Sequence, residues 1–111
     1  MERRLVRIVT MTFEDGRTEE FLGLFDKVSD QIRAFPGCRH LALLRDRDEP
    51  TVFATYSLWD SQESLNAYRS SDLFRETWYK TKALFSEAPV ARSYEQIHPK
   101  AGEHIRRHSD A

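Results

Sequence analysis

Residues 5–13, LVRIVTMTF, alternate in a two-residue rhythm: Leu5, Val9, Met11 and Phe13 fall on one face and Val6, Ile8, Thr10 and Thr12 on the other. This predicts a strand, and apolar residues on both faces predict that both are covered. After the turn residues Glu14, Asp15 and Gly16, the period becomes helical. Phe21, Leu24, Phe25, Val28 and Ile32 form one stripe, with Thr18 expected as N-cap and Glu19 and Glu20 in the first turn, where the helix dipole favours acids. The helix is expected to end at Pro36-Gly37, because proline disfavours the helical conformation in the residue before it.

Two further β-like runs follow, CRHLALLRD (38–46) and TVFATYSLW (51–59), with the charged, proline-containing RDEP between them as a hairpin loop. In the second run Val52, Ala54, Tyr56 and Leu58 oppose Phe53, Thr55, Ser57 and Trp59. Asp60 and Glu63 have capping-box spacing, which predicts a helix start. That helix carries Leu65 and Tyr68, meets a break expected near Ser71, and resumes with Phe74, Trp78, Thr81 and Phe85. VARSYEQI (90–97) is the fourth strand candidate. Residues 1–98 are read as one domain. Residues 99–111 are read as a polar tail, expected to be disordered because it has too few apolar groups to offset its ordering entropy.

The order β-α-β-β-α-β is that of the ferredoxin-like split βαβ plan, an α+β fold with a four-stranded antiparallel sheet and its helices on one face. The apolar residues on the other face then need a cover, and a second copy packed sheet to sheet supplies one. A homodimer burying roughly 800 Å² per partner would be of standard size.

Charge and composition narrow the function. Seventeen Lys and Arg nearly balance eighteen Asp and Glu, which gives no reason to expect nucleic acid as a partner. No apolar run approaches the roughly 18 residues of a membrane span, and MERRLVRIV lacks the apolar stretch of a signal peptide, so a cytoplasmic location is expected. Cys38 is the one cysteine and cannot form an internal disulfide. Cys38 and His40 are expected on one face of the second strand, but two ligands do not make a metal site. His104 and His108 fall in the tail. With no phosphate-binding glycine loop and no Ser/His/Asp set, a nucleotide cofactor is not expected. Arg39, Arg45 and Arg47 could draw in an anionic substrate, or pair with Asp46, Asp48 and Glu49 at the surface.

Aromatic residues crowd residues 57–85, which hold Trp59, Tyr68, Phe74, Trp78, Tyr79 and Phe85. Trp59 and Trp78 either fill the core between helix and sheet or face one cleft and sandwich a planar ring by offset stacking. Tyr68 is read as half-buried with a solvated hydroxyl, or as an acid or base.

FPGCRHLALLRD, a strand ending in Trp59-Asp60-Ser61, and a broken helix containing Ser71-Asp72-Leu73-Phe74 resemble the antibiotic biosynthesis monooxygenase family over about residues 3–98. The resemblance implies a dimeric α+β barrel with a cleft in each subunit for flat hydrophobic molecules. It also implies oxidation of phenols or quinols with O₂ and no cofactor, haem degradation, or no assigned activity. The haem-degrading branch uses a His on the second helix and an Asn on the first strand, and this chain has Trp78 and Val9 there. Indole nitrogen is a donor only and cannot ligate iron. Other members have Ala-His and Ser-Pro-His-Phe on that helix, where this chain reads Ala67-Tyr68 and Ser71-Asp72-Leu73-Phe74. Tyr68 is thus the nearest polar substitute for a catalytic base. The expected site comprises Tyr68 with Val9, Phe25, Trp59 and Trp78 as substrate-binding residues, with no cofactor and no metal. The expected activity is monooxygenation of a small planar phenol or quinol, the alternative a non-catalytic ligand-binding or stress-related dimer of the same fold.

Overall fold

The computed structural model describes residues 4–100. Seven elements follow in order: β1 (Leu5–Thr12), α1 (Thr18–Arg33), β2 (Cys38–Arg45), β3 (Val52–Trp59), α2 (Gln62–Arg69), α3 (Asp72–Lys82) and β4 (Val90–Glu95). The strands form one antiparallel sheet in the order β2-β3-β1-β4, the ferredoxin-like α+β arrangement that the alternating patterns imply. β4 is shorter than its sequence pattern, which extended to Ile97. Residues 101–111 of the expected tail, with His104 and His108, lie outside the described residues.

Two predicted caps are replaced by their neighbours. Thr18 is already helical, and the N-cap of α1 is Arg17, whose side chain makes no cap hydrogen bond. Arg17 instead holds Glu14 and Glu20 in ion pairs of 3.3 and 2.9 Å. At α2 the cap is Ser61, whose Oγ accepts from the Ser64 N–H at 3.2 Å. Asp60 is diverted from capping because Arg39 holds its carboxylate with two hydrogen bonds of 2.6 and 2.7 Å.

The predicted helix break is present. Ser70 caps the end of α2, and Ser71 begins α3 by accepting from the Phe74 N–H at 3.1 Å. α2 rests on the turn before β2, where Gly37 has a φ of +88° and a Cβ would overlap the Ser64 side chain. Both the backbone angle and the close approach require glycine there.

Register sets what the helices pack against. β1 and β3 pair Met11 with Phe53, Val9 with Thr55 and Arg7 with Ser57, while β4 sets Ala91 beside Val9 and Ser93 beside Arg7. Met11, Phe13, Phe21, Phe53 and Leu84 form the solid core, with Phe25, Leu43 and Phe85 packed against it. On the opposite face of the sheet Leu44, Val90 and Tyr94 are about half exposed.

A bulge in β2 overturns the expectation that Cys38 and His40 share a face. Cys38 pairs with Trp59 and His40 with Leu58, so Arg39 is the inserted residue. One extra residue reverses the alternation that follows it. Cys38 therefore stays on the helix side with Trp59, while His40 lies on the other face with its ring 5.7 Å from that of Tyr56. Among the described residues no cluster of three His, Cys, Asp or Glu side chains could hold a metal ion.

Candidate functional site: a cavity between the helices and the sheet

A cavity of about 250 Å³ lies between the helices and the sheet. Its floor follows from the register. Val9 is flanked by Thr55 and Ala91, and Arg7 by Ser57 and Ser93, so small side chains leave open the space that Phe53 and Met11 fill two residues further along. Phe25 of α1, Tyr68 and Arg69 of α2, and Phe74 and Trp78 of α3 supply the walls.

All five sequence-derived candidates border this space: Val9 on the floor, and Phe25, Trp59, Tyr68 and Trp78 around it. The two indoles do not form a sandwich. Trp59 is only 1% exposed, and one of its faces is covered by Tyr68 at 5.0 Å and 25°. Its Nε1–H donates to Ser57 Oγ at 3.0 Å, and Ser57 Oγ donates to the Arg7 carbonyl at 3.4 Å. Trp78 is stacked on Phe74 at 5.8 Å and 13°.

Both indoles belong to a continuous run of touching rings. It passes from Phe35 through Trp59, Tyr68, Phe74 and Trp78 to Phe85 and Phe13, and so into the core. Trp59 is thus a core residue with an edge on the cavity, and Trp78 is a half-buried wall.

The polar groups are few. Burial pushes the Tyr68 phenol up to about 12, with a smaller contribution from Cys38, so at neutral pH it is protonated and able to donate a hydrogen bond, not to act as a base. Burial, and then the nearby Arg69 charge, lower the pKa of the Arg7 guanidinium. Arg7 Nη1 donates to Ser93 Oγ at 2.9 Å. No Asp, Glu or His lines the cavity among the described residues.

The arginines singled out from the sequence stand elsewhere. Arg39 is engaged by Asp60 and not by the hairpin acids. Arg45 lies over the Phe53 ring at 4.8 Å. The Asp46 carboxylate accepts the backbone N–H groups of Asp48 and Glu49, which closes the hairpin. Arg7 and Arg69 were missed. A signal for Arg7 was present, since it is the one charge on the inward face shared by Leu5, Val9 and Met11. Arg69 follows Leu65 by four residues and shares its helix face.

A family profile described as antibiotic biosynthesis monooxygenase matches residues 4–78. This chain belongs to the antibiotic biosynthesis monooxygenase family.

A Streptomyces coelicolor protein, the 42.8 kDa protein in the whiE locus, is 32% identical over 73 residues, a stretch covering 65% of this chain and 18% of that protein. Among solved structures, a Nitrosomonas europaea protein assigned to the antibiotic biosynthesis monooxygenases superposes with a TM-score of 0.84 at 19% identity, covering 90% of this chain and 96% of that one. PA3566 from Pseudomonas aeruginosa gives 0.78 at 21% identity, covering 87% and 97%. At these identities the structures share the fold.

Proposed function

We propose that this protein is a cofactor-independent monooxygenase of a small planar phenol or quinol, bound in the cavity between the helices and the sheet. The observation that carries this reading is the cavity itself: its walls are aromatic, Tyr68 and Trp78 among them, and two cations border it. Its volume lies just below the 300 to 1,000 Å³ or so common for small-molecule sites, which favours a compact ring system.

Direct oxidation by O₂ requires an electron-rich substrate, and for a phenol or quinol that means the anion. The described wall offers no carboxylate or imidazole to remove the proton. The positive charge of Arg7 and Arg69 would instead favour the ionised substrate through space, lowering its pKa in place, while Tyr68 donates a hydrogen bond and the rings exclude water. The missing base also favours a second reading, a non-catalytic binder of the same ligands.

Oxygen uptake with a panel of quinols and anthrones separates the two. The enzyme reading expects uptake above the buffer rate that falls at least about tenfold in Thr55→Leu, which fills the floor of the cavity. Ligand binding with no uptake would leave the binder.

We also propose that a second copy covers the free sheet face, where Val90, Tyr94 and Leu44 stand exposed, Tyr94 beside Val6. Sedimentation at micromolar concentration is expected to give a dimer, and Tyr94→Glu a monomer that still folds. Among the described residues no helix is long and apolar enough to cross a membrane.

A further inference from the structure

Arg7 and Arg69 border the same cavity, and neither forms an ion pair with a described residue. The ion pairs of the described arginines are elsewhere: Arg17 with Glu14 and Glu20, Arg33 with Asp30, Arg39 with Asp60, and Arg75 with Asp72.

Arg7 is the more informative of the two. It rises from the middle strand region on the helix-facing side, half-buried, with the hydroxyl of Ser93 as its side-chain partner. A guanidinium carries five N–H donors in a planar fork, and Arg7 directs one of them to that hydroxyl. Removing such a cation from water without an anion is costly, and placing it near a second cation adds to the cost.

Arg69 has a simpler explanation on its own, since it ends α2, where a cation favours the helix dipole. That accounts for its position in the helix and leaves Arg7 unexplained. Two guanidinium forks that border one aromatic cavity, near enough for Arg69 to act on the charge of Arg7, are matched by a planar anion, because a carboxylate accepts two parallel N–H bonds.

We infer that the ligand of this cavity is an aromatic carboxylate, with its ring against Tyr68 and Trp78 and its carboxylate on Arg7 and Arg69. The inference rests on the cavity being the ligand site and narrows it to one substrate class. It holds for the enzyme and for the binder alike. A fixed negative charge would seat the ring in one orientation, so that the same ring carbon faces the Tyr68 hydroxyl at every binding event.

The test is calorimetric titration of the full chain with naphthalene carboxylate and with naphthalene carboxamide, which has the same shape and no charge. The acid is expected to bind at least about tenfold more tightly at low salt, and each ligand to displace the other. Arg69→Gln is at an exposed helix end and is expected to keep the fold. It should bring the acid-to-amide ratio at least threefold closer to one. Arg7→Gln should reduce the ratio further, and Arg7→Lys should restore part of it by returning the charge without the fork. Equal affinity for the two compounds in the wild type, or a ratio unchanged in Arg69→Gln, overturns the carboxylate assignment and leaves the cavity as an aromatic site. Binding of neither compound overturns both.

Discussion

The space between the helices and the sheet is solid at one end and hollow at the other, although the same run of aromatic rings passes through both. At the solid end Met11 faces Phe53 across the β1 and β3 pairing, and Phe13, only 1% exposed, lies 4.3 Å from the Phe21 ring. At the hollow end the same two strands present Val9 beside Thr55 and Arg7 beside Ser57, with Ala91 and Ser93 completing the rows from β4. The two ends differ in the side chains on the sheet: Met11 and Phe53 fill the gap at one, and Val9, Thr55, Ser57 and Ala91 line it at the other. Side-chain volume on the floor made this cavity; aromatic content did not.

Truncating a ring at each end tests that contrast most strongly. Phe13→Ala removes a fully enclosed ring and is expected to cost about 3 to 5 kcal/mol in urea unfolding, whereas Trp78→Ala, beside space that is already empty, should cost about half as much or less. Equal losses would mean that the hollow end is packed as tightly as the core.

Alkaline titration gives the next largest effect and concerns the hollow end alone. Burial raises the Tyr68 pKa from 10.0 to about 12, so the folded state keeps a proton that the unfolded chain has released. The resulting stabilisation is complete below about pH 10 and is lost as the pH rises through about 12, on the order of 2 to 3 kcal/mol. Wild type should therefore lose more stability than Tyr68→Phe between about pH 9 and pH 11. Absorbance should show one of the four tyrosines ionising last, and that late step should be missing from the variant.

The smallest effect comes from Ser57→Ala. It leaves the Trp59 Nε1–H without its acceptor and is expected to cost about 1 to 3 kcal/mol. At the solid end, amide hydrogen exchange at Met11 and Phe53 should quicken by no more than that loss of global stability accounts for.

Much of this arrangement was legible in the chain, and the reasons differ by element. The strands and α1 announce themselves because period two and period 3.6 place apolar residues on faces that must be buried. The break at Ser71 is equally plain, since its hydroxyl can accept from the Phe74 N–H. The bulge at Arg39 leaves no mark in local periodicity, and it moved His40 to the other face of the sheet. Capping by Ser61 was hidden for a similar reason: Asp60 is the better local candidate until Arg39, distant in sequence, takes its carboxylate. At the site, rings could be identified from composition and helical spacing. The floor could not, because Thr55, Ser57, Ala91 and Ser93 become neighbours only through strand register. Nor could the presence of Arg7 and Arg69 on one cavity be read, because they lie far apart in sequence, on β1 and α2.

The indole of Trp59 touches the cavity at its edge and that of Trp78 forms part of its wall, and the chain contains no other tryptophan. Its tryptophan emission therefore arises wholly from indoles that border the hollow. The molecule carries its own optical gauge of occupancy, with no surface indole to dilute the signal and no dye needed to read it.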